Sequence, residues 1–337
     1  MISTYIRSSS YTCWDFCQFK FFLDYVLGFR SPANKKAEIG TIVHKALEML
    51  AKVKFAKQNG KDFIHDDEFG FFEHKEINAD LFLQLAYNHY ATKTQHMYDW
   101  KHIDFQTCKS YLNMALTYNK GMFNPMNQKI IEPEKYFDIV IDKPWAKYKF
   151  KTDDGRVIEG NLAIKGTLDL IIESGKNVYE LIDYKTGQRK DINTGKEKTY
   201  ESLHKDPQLL IYFYAMSTLF PDITQKIVTI FYIRDGGPFS MVFNKNHIKL
   251  AEKLLENRFN AIKNCKKPRT IHPSWKCEKL CYFGKNTIDK KKTSDYNESM
   301  CKTIHNDIVE LGMDKVLKKY SQDTTYNSYG DGGGKSR

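Results

Sequence analysis

The sequence predicts an α/β protein, with a block of strands in the middle of the chain and helical patterns on both sides. Three observations carry this. Apolar, β-branched-rich runs at 162–172 and 178–184 flank Ser174-Gly175-Lys176-Asn177 and read as a β-hairpin. Strand-like segments at 131–141, 148–158, 228–233 and 240–243 surround it. Helical patterns occupy 8–29, most of 40–126, the stretch after Asp206, and 246–263.

The hairpin carries acids where strands seldom place them: Asp169 in the first run and Asp183 in the second. A three-residue connection at Gly175–Asn177 puts Asp169 directly opposite Asp183, and the period of two puts Lys185 on the face of Asp183. A two-residue loop turns Asp183 to the other face unless a bulge restores the register. Adjacent carboxylates repel, and burying them unpaired is costly. A hard divalent cation such as Mg²⁺ resolves that conflict, since it is held by one or two carboxylates with waters and substrate phosphate. The plain alternative for Asp183-x-Lys185 taken alone is an exposed hairpin face with a Lys–Asp pair.

Composition narrows the classes. The chain has 337 residues, 41% apolar and 14% aromatic, which excludes a mostly disordered protein and leaves room for two lobes. The start MISTYIRSSS has no apolar signal core, and no apolar run approaches a membrane span. A soluble, cytoplasmic protein without membrane partners is the expectation. The net charge of +11 suits a polyanionic partner. Seven cysteines in an intracellular chain suggest metal, cluster or buried thiols rather than disulfides.

Along the chain, the serines at 8–10 offer an N-cap to an aromatic-rich helix, in which Cys13 and Cys17 share one face. Pro32 and the following polar residues end it. Gly40-Thr-Ile-Val-His44 opens the next helix, with Val43, Leu47 and Leu50 as its apolar stripe and His44 at the stripe's edge. The region 51–126 reads as mostly helical, with Cys108 as plain core. Asp153-Asp154-Gly155 reads as a turn between short strands. Glu132 and Glu134 are candidates for an auxiliary acid, but surface strand residues are the better reading of both. The polar, lysine-rich segment 188–200 is expected to be a mobile loop near the site.

Asp206 and Pro207 are a good N-cap and first helical residue, after which Gln208 and Tyr212 project from one face. Cys277 and Cys281, followed distantly by Cys301, fit neither standard zinc spacing nor the common ferredoxin spacings. The tail ending GDGGGKSR reads as disordered.

Taken in order, Gly40-x-x-x-His44, Gly166-x-x-Asp169, Asp183-Tyr-Lys185-Thr-Gly187 and Gln208-x-x-x-Tyr212 resemble the motifs of the RecB-like branch of the PD-(D/E)XK nucleases. That branch includes phage exonucleases, nuclease domains of recombination helicases and CRISPR-adaptation nucleases. The resemblance implies a restriction-endonuclease-like core, a mixed sheet flanked by helices, with a helical N-terminal region. It implies that His44, Asp169, Asp183 and the Tyr184 carbonyl bind Mg²⁺ or Mn²⁺. Lys185 then orients or activates the attacking water, and Gln208 and Tyr212 hold the DNA backbone. Some members also hold a [4Fe–4S] cluster, for which Cys17, Cys277, Cys281 and Cys301 are the matching positions. Here the spacing departs from the usual one, because a long lysine-rich insertion precedes Cys301.

These readings divide the chain into a helical region 1–130, a nuclease core 131–245, a helix and cysteine region 246–320 and a disordered tail 321–337. The expected function is metal-dependent DNA cleavage in recombination, repair or phage DNA metabolism, by an exonuclease or structure-dependent nuclease. A phage-encoded chain would act in the host cytoplasm. The alternative is a non-cleaving nucleic-acid-binding subunit of a helicase–nuclease or integration complex. The sequence lacks a Walker-type phosphate loop, so any helicase or recombination ATPase is a partner chain.

Overall fold

The structure is a computed structural model that describes residues 1, 3–73, 78–151, 155–191 and 194–321. Contacts divide the chain into two units. One comprises Ala33–Phe137 and Gly166–Leu250, the other Met1–Pro32, Asp138–Lys165 and Ala251–Arg337.

The first unit opens with helix α1, Lys35–Gln58, capped by the Asn34 side chain on the Ala37 amide. The helix starts at Lys35 rather than at Gly40, because Asn34 satisfies a free N-terminal amide before the apolar stripe begins. Ile42, Val43, Leu47 and Leu50 are buried. Each such side chain contributes roughly 1.5–3 kcal/mol by leaving water, which holds the helix firmly in the core. After α1 come strands β1 (Phe63–Asp66) and β2 (Gly70–Glu73), then helices α2 (Ala79–Thr94) and α3 (His102–Thr117).

The hairpin β1–β2 corrects the helical reading of 51–126. Its first strand turns Ile64 and Asp66 inward, and Asp66, 1% exposed, accepts at Oδ2 from Lys45 at 2.8 Å and Lys52 at 2.7 Å, both on α1. An aspartate on the inner face hides the strand's apolar alternation from the sequence.

The sheet of this unit is built from β3 (Ile130–Val140), β4 (Ala163–Gly175), β5 (Val178–Lys185), β6 (Gln225–Tyr232) and β7 (Gly237–Val242). β4 and β5 are antiparallel, β5 and β6 parallel, β6 and β7 antiparallel, and β3 also pairs with β4. Helix α4, Pro207–Leu219, is the crossover between the parallel strands. Leu170, Ile172, Ile182, Tyr184 and Phe231 share one buried cluster with the apolar face of α1. This is the mixed sheet with flanking helices that the sequence implied.

The hairpin's loop is shorter than expected. Gly175 pairs with Val178 across a two-residue turn, and a bulge between Glu173 and Gly175 absorbs the extra residue. Asn177 takes the left-handed conformation the turn needs, with φ +58°. The bulge restores the register, so Leu170 faces Ile182, and the next pair in that register is Asp169 and Asp183. The loop after β5 closes on itself: Lys190 bridges Glu197, and the Lys198 amide donates to the Arg189 carbonyl at 2.9 Å.

In the second unit the helix at the chain's start is broken. Ser8–Phe16 is α-helical, Cys17 is extended with φ −168° and ψ 121°, and a short helix, Gln18–Phe21, follows before a π-helical turn at Phe22–Val26. Cys17 therefore does not share a helical face with Cys13. The Phe19 amide donates to the Arg269 carbonyl at 3.1 Å instead of continuing the helix. Phe19, Phe22, Leu23, Phe283, Ile304 and Val316 form its core. Tyr5–Ile6 runs parallel to Ala163–Ile164, and Lys147–Lys151 pairs with Val157–Asn161 as a hairpin. Asp153 and Asp154, expected in its turn, and residues 322–337, expected as a disordered tail, lie outside the described residues. Among the described residues no helix is long and apolar enough to cross a membrane.

Candidate active site

Two glycines set the site's backbone. A Cβ on Gly40 would lie 2.7 Å from Thr186 Oγ1, so the absence of a side chain lets α1 approach the residue that follows β5. A Cβ on Gly166 would lie 2.8 Å from the Phe137 ring, which packs there against β4 three residues before Asp169. Both glycines begin the motifs whose last residues enter the site.

Asp169 stands between two groups of side chains. On one side His44 Nδ1 lies 3.4 Å from Asp169 Oδ2, and the Tyr184 amide donates to the same oxygen at 3.2 Å. The Tyr184 backbone also lies close enough to the imidazole to favour its charged form. Tyr184 itself points into the core, where its hydroxyl donates to the Phe123 carbonyl at 2.7 Å. On the other side, Lys185 Nζ lies 2.8 Å from Asp183 Oδ1 and 2.7 Å from Oδ2. Gln208 Nε2 donates to Asp183 Oδ1 at 3.2 Å and to the Tyr212 hydroxyl at 2.9 Å. The Asp206 side chain caps α4 by accepting the Gln208 amide, which fixes where Gln208 begins.

The electrostatics follow from this crowding. Asp183 is 1% exposed, and burial together with the charge of Asp169 raises its carboxyl to about 7 despite the opposing pull of Lys185. Burial would lower Lys185, but the neighbouring carboxylates, Asp183 first and then Asp169, outweigh it and hold the ammonium firmly protonated. Burial lowers His44 against the pull of Asp169, leaving a neutral imidazole at neutral pH. Asp183 Oδ2 is buried and accepts no hydrogen bond, even with Lys185 close by off the bonding direction.

The structure thus brings His44, Asp169, Asp183, Tyr184, Lys185, Gln208 and Tyr212 together. It adds two acids. Glu48, one turn beyond His44 on α1, and Glu134 line a small cavity with His44, Asp169 and Tyr184. Glu134 is raised well above the usual carboxylate range by burial, then by Asp169 and Glu48. Its φ of +47°, directly after Pro133, breaks the strand's alternation and turns it inward. Glu132 instead pairs with Lys135 at 3.0 Å. The sequence held a signal for Glu48 in its spacing of four from His44. For Glu134 only Pro133 hinted at a break.

A divalent cation fits this donor set. Two carboxylates, a neutral imidazole and a backbone carbonyl converge, and one buried carboxylate oxygen lacks a hydrogen bond. Among the described residues the side chains do not already stand in a finished ligand shell. Forming one requires Asp183 to turn from Lys185 and His44 from Asp169.

In the second unit Cys17, Cys277, Cys281 and Cys301 line one cavity with Lys20 and Phe283. Burial, then the neighbouring thiols Cys281 and Cys17, raise Cys277 to about 11. Burial raises Cys301 to about 12, against a hydrogen bond with Tyr296. A Cβ on Gly284 would lie 2.7 Å from the Cys277 carbonyl, so glycine allows the chain to fold back beside that thiol. These four cysteines line that cavity, although among the described residues no three Cys, His, Asp or Glu side chains stand arranged to hold a metal ion. Cys13 turns to Asp24, 3.7 Å away, and Cys108 lies in the core of the other unit. Cys265 packs in a separate small cluster with Trp14, Phe21 and Ile262.

The profile of the PD-(D/E)XK nuclease superfamily matches residues 8–285. No curated protein matches the chain. Among solved structures, that of a candidate exonuclease from Eubacterium rectale is similar, with a TM-score of 0.45 and 10% identity over 81% of this chain and 87% of that one.

Proposed function

This chain belongs to the PD-(D/E)XK nuclease superfamily, and from that premise we propose that it is a metal-dependent DNA nuclease of the RecB-like branch, working as an exonuclease or structure-dependent nuclease. The observation that carries the reading is the pairing of Asp169 and Asp183 across one hairpin, with Lys185 on Asp183 and an unbonded Asp183 oxygen. His44, Asp169, Asp183 and the Tyr184 carbonyl would hold Mg²⁺ or Mn²⁺. When bound, the cation supplies Lewis-acid neutralisation of charge on the scissile phosphate.

The chain's own groups do the rest. Lys185 keeps a full positive charge beside the place where the attacking oxygen and the phosphate gain negative charge. Asp183 holds that ammonium in position at 2.7–2.8 Å. Gln208 and Tyr212, already bonded to each other, present an amide and a hydroxyl to the phosphodiester backbone. Neutral His44 offers a nitrogen lone pair and softens an otherwise all-oxygen donor set, which favours acceptance of Mn²⁺.

Cys17, Cys277, Cys281 and Cys301 would hold a [4Fe–4S] cluster as a structural staple. The biological setting that suits these parts is recombination, repair or phage DNA metabolism in the cytoplasm, alone or with a helicase or recombination partner.

End-labelled single- and double-stranded DNA, incubated with Mg²⁺, Mn²⁺ or EDTA, tests the activity. Shortened products are expected with either cation and none in EDTA. Intact DNA under all conditions would refute it.

A further inference from the structure

The unit that holds the site also carries an aromatic surface that the catalytic residues do not use. Tyr200, on a single helical turn, Tyr200–Leu203, is 48% exposed. Its ring lies 4.9 Å from that of His204, and His204 lies 5.8 Å from His247. Beneath them, buried Phe243 sits 5.4 Å from His204 and 5.0 Å from His247, and stacks on Phe213 of α4 at 5.0 Å.

The imidazoles are held in place from behind. His204 Nδ1 is 3.1 Å from the Tyr200 carbonyl, and His247 Nδ1 is 3.0 Å from Asn244 Oδ1. Three rings are therefore fixed at the surface over a rigid floor, which lowers the ordering cost of anything stacked on them.

The charge around the rings is mostly positive. Lys205, Lys245 and Lys249 are exposed, and none has a carboxylate partner among the described residues. Asp206 is taken up by Lys198 at 2.5 Å, which leaves Glu201 as the remaining acid of that stretch. Position completes the argument. His204 precedes by four residues Gln208, whose amide touches Asp183.

We propose that Tyr200, His204 and His247, flanked by Lys205, Lys245 and Lys249, form a stacking platform that receives single-stranded DNA and leads it toward Asp183. Flat rings interleaved with unpaired lysines fit unstacked bases on a polyanionic backbone. In a duplex the base faces are already stacked on each other, so the rings have nothing to receive. The platform rests on the nuclease reading for the meaning of its location, but its binding does not require cleavage.

The test is fluorescence anisotropy in EDTA, using a labelled oligothymidylate and a labelled duplex, each of about 20 nucleotides per strand. His204→Ala/His247→Ala should weaken oligothymidylate binding about tenfold and duplex binding by less than about twofold. Tyr200→Ala should weaken single-strand binding in the same selective way, while Tyr200→Phe, which keeps the ring, should bind as wild type. Lys205→Ala/Lys245→Ala should lower the affinity for both forms and flatten the salt dependence.

Variants with wild-type melting temperature that bind oligothymidylate normally, or lose single- and double-strand binding equally, would overturn the platform. If the double variant does not fold, the Tyr200→Ala and Tyr200→Phe pair decides it. The two proposals fail separately. Selective loss of single-strand binding without any cation-dependent cleavage would retain the platform and end the nuclease reading. Cleavage with unaltered binding would do the reverse.

Discussion

At the residue scale, the site's character comes from one buried aspartate. Asp183 has too little water and too close a carboxylate neighbour in Asp169, so its carboxyl is raised to about 7. The linked stability has a definite sign. In the unfolded chain the group titrates near 4, so between about pH 4 and pH 7 the folded state binds the extra proton. Metal-free protein should therefore lose stability as pH rises through that window. Asp183→Asn should remove the loss and be the more stable form at pH 8 by about 1–3 kcal/mol, with Mn²⁺ narrowing the gap by stabilising wild type alone. Melting in EDTA at pH 5 and pH 8 checks this, and equal melting of both proteins at pH 8 would contradict it. Lys185→Ala should lose about a hundredfold or more in cleavage yet keep Mn²⁺ binding, as read by titration calorimetry. The pairing of Asp169 with Asp183 was legible in the sequence because acids inside apolar strands are conspicuous and hairpin register is arithmetic. Glu134 was legible only as one of two candidate acids, since beyond Pro133 nothing local announces the left-handed residue that turns it inward.

At the element scale, helix α1 links the site to the rest of its unit. One face carries His44 and Glu48 to the site, and Lys45 and Lys52 on the neighbouring face grip Asp66 of β1. Burial acts to raise Asp66, but hydrogen bonds and charge from the two lysines outweigh it and hold the carboxyl well below the usual range. Its contribution is thus present above the unfolded value near 4 and is lost as pH falls further. Asp66→Ala leaves two partly buried ammonium groups short of a partner. It should destabilise the protein by about 3–5 kcal/mol in urea unfolding at pH 7. A change within about 0.5 kcal/mol would show that the network does no such holding. The helix itself was legible from its apolar stripe, although its start was not placed correctly. The β1–β2 hairpin escaped because its strands are only four residues long and one of the two inward residues of β1, Asp66, is charged. The break at Cys17 escaped for a tertiary reason: its local sequence reads as continuous helix, and only the Arg269 carbonyl, 252 residues away, draws the backbone off.

At the scale of the whole molecule, residues distant in sequence meet in each unit. In one, α1, the β4–β5 hairpin and α4 bring motifs from residue 40 to residue 212 to one place. In the other, thiols from the chain's first helical segment and from its last third line one cavity. A ligand there would close a very long loop, which is where a cross-link constrains the unfolded chain most. Protein purified without oxygen should be brown and contain about four irons per chain, and Cys17→Ser should lose both the iron and much of the thermal stability. Colourless, iron-free protein would retire that ligand set. The ordered motifs made the superfamily legible, because each contains residue types that only a shared site explains. The central claim remains that Asp169 and Asp183 form the cation-dependent cleavage site. The most direct measurement is Mn²⁺-dependent cleavage of end-labelled DNA by Asp183→Ala beside wild type, with folding of both verified by melting. The account predicts a folded variant whose cleavage is at least about a thousandfold slower, and a folded variant that cuts at the wild-type rate would contradict it.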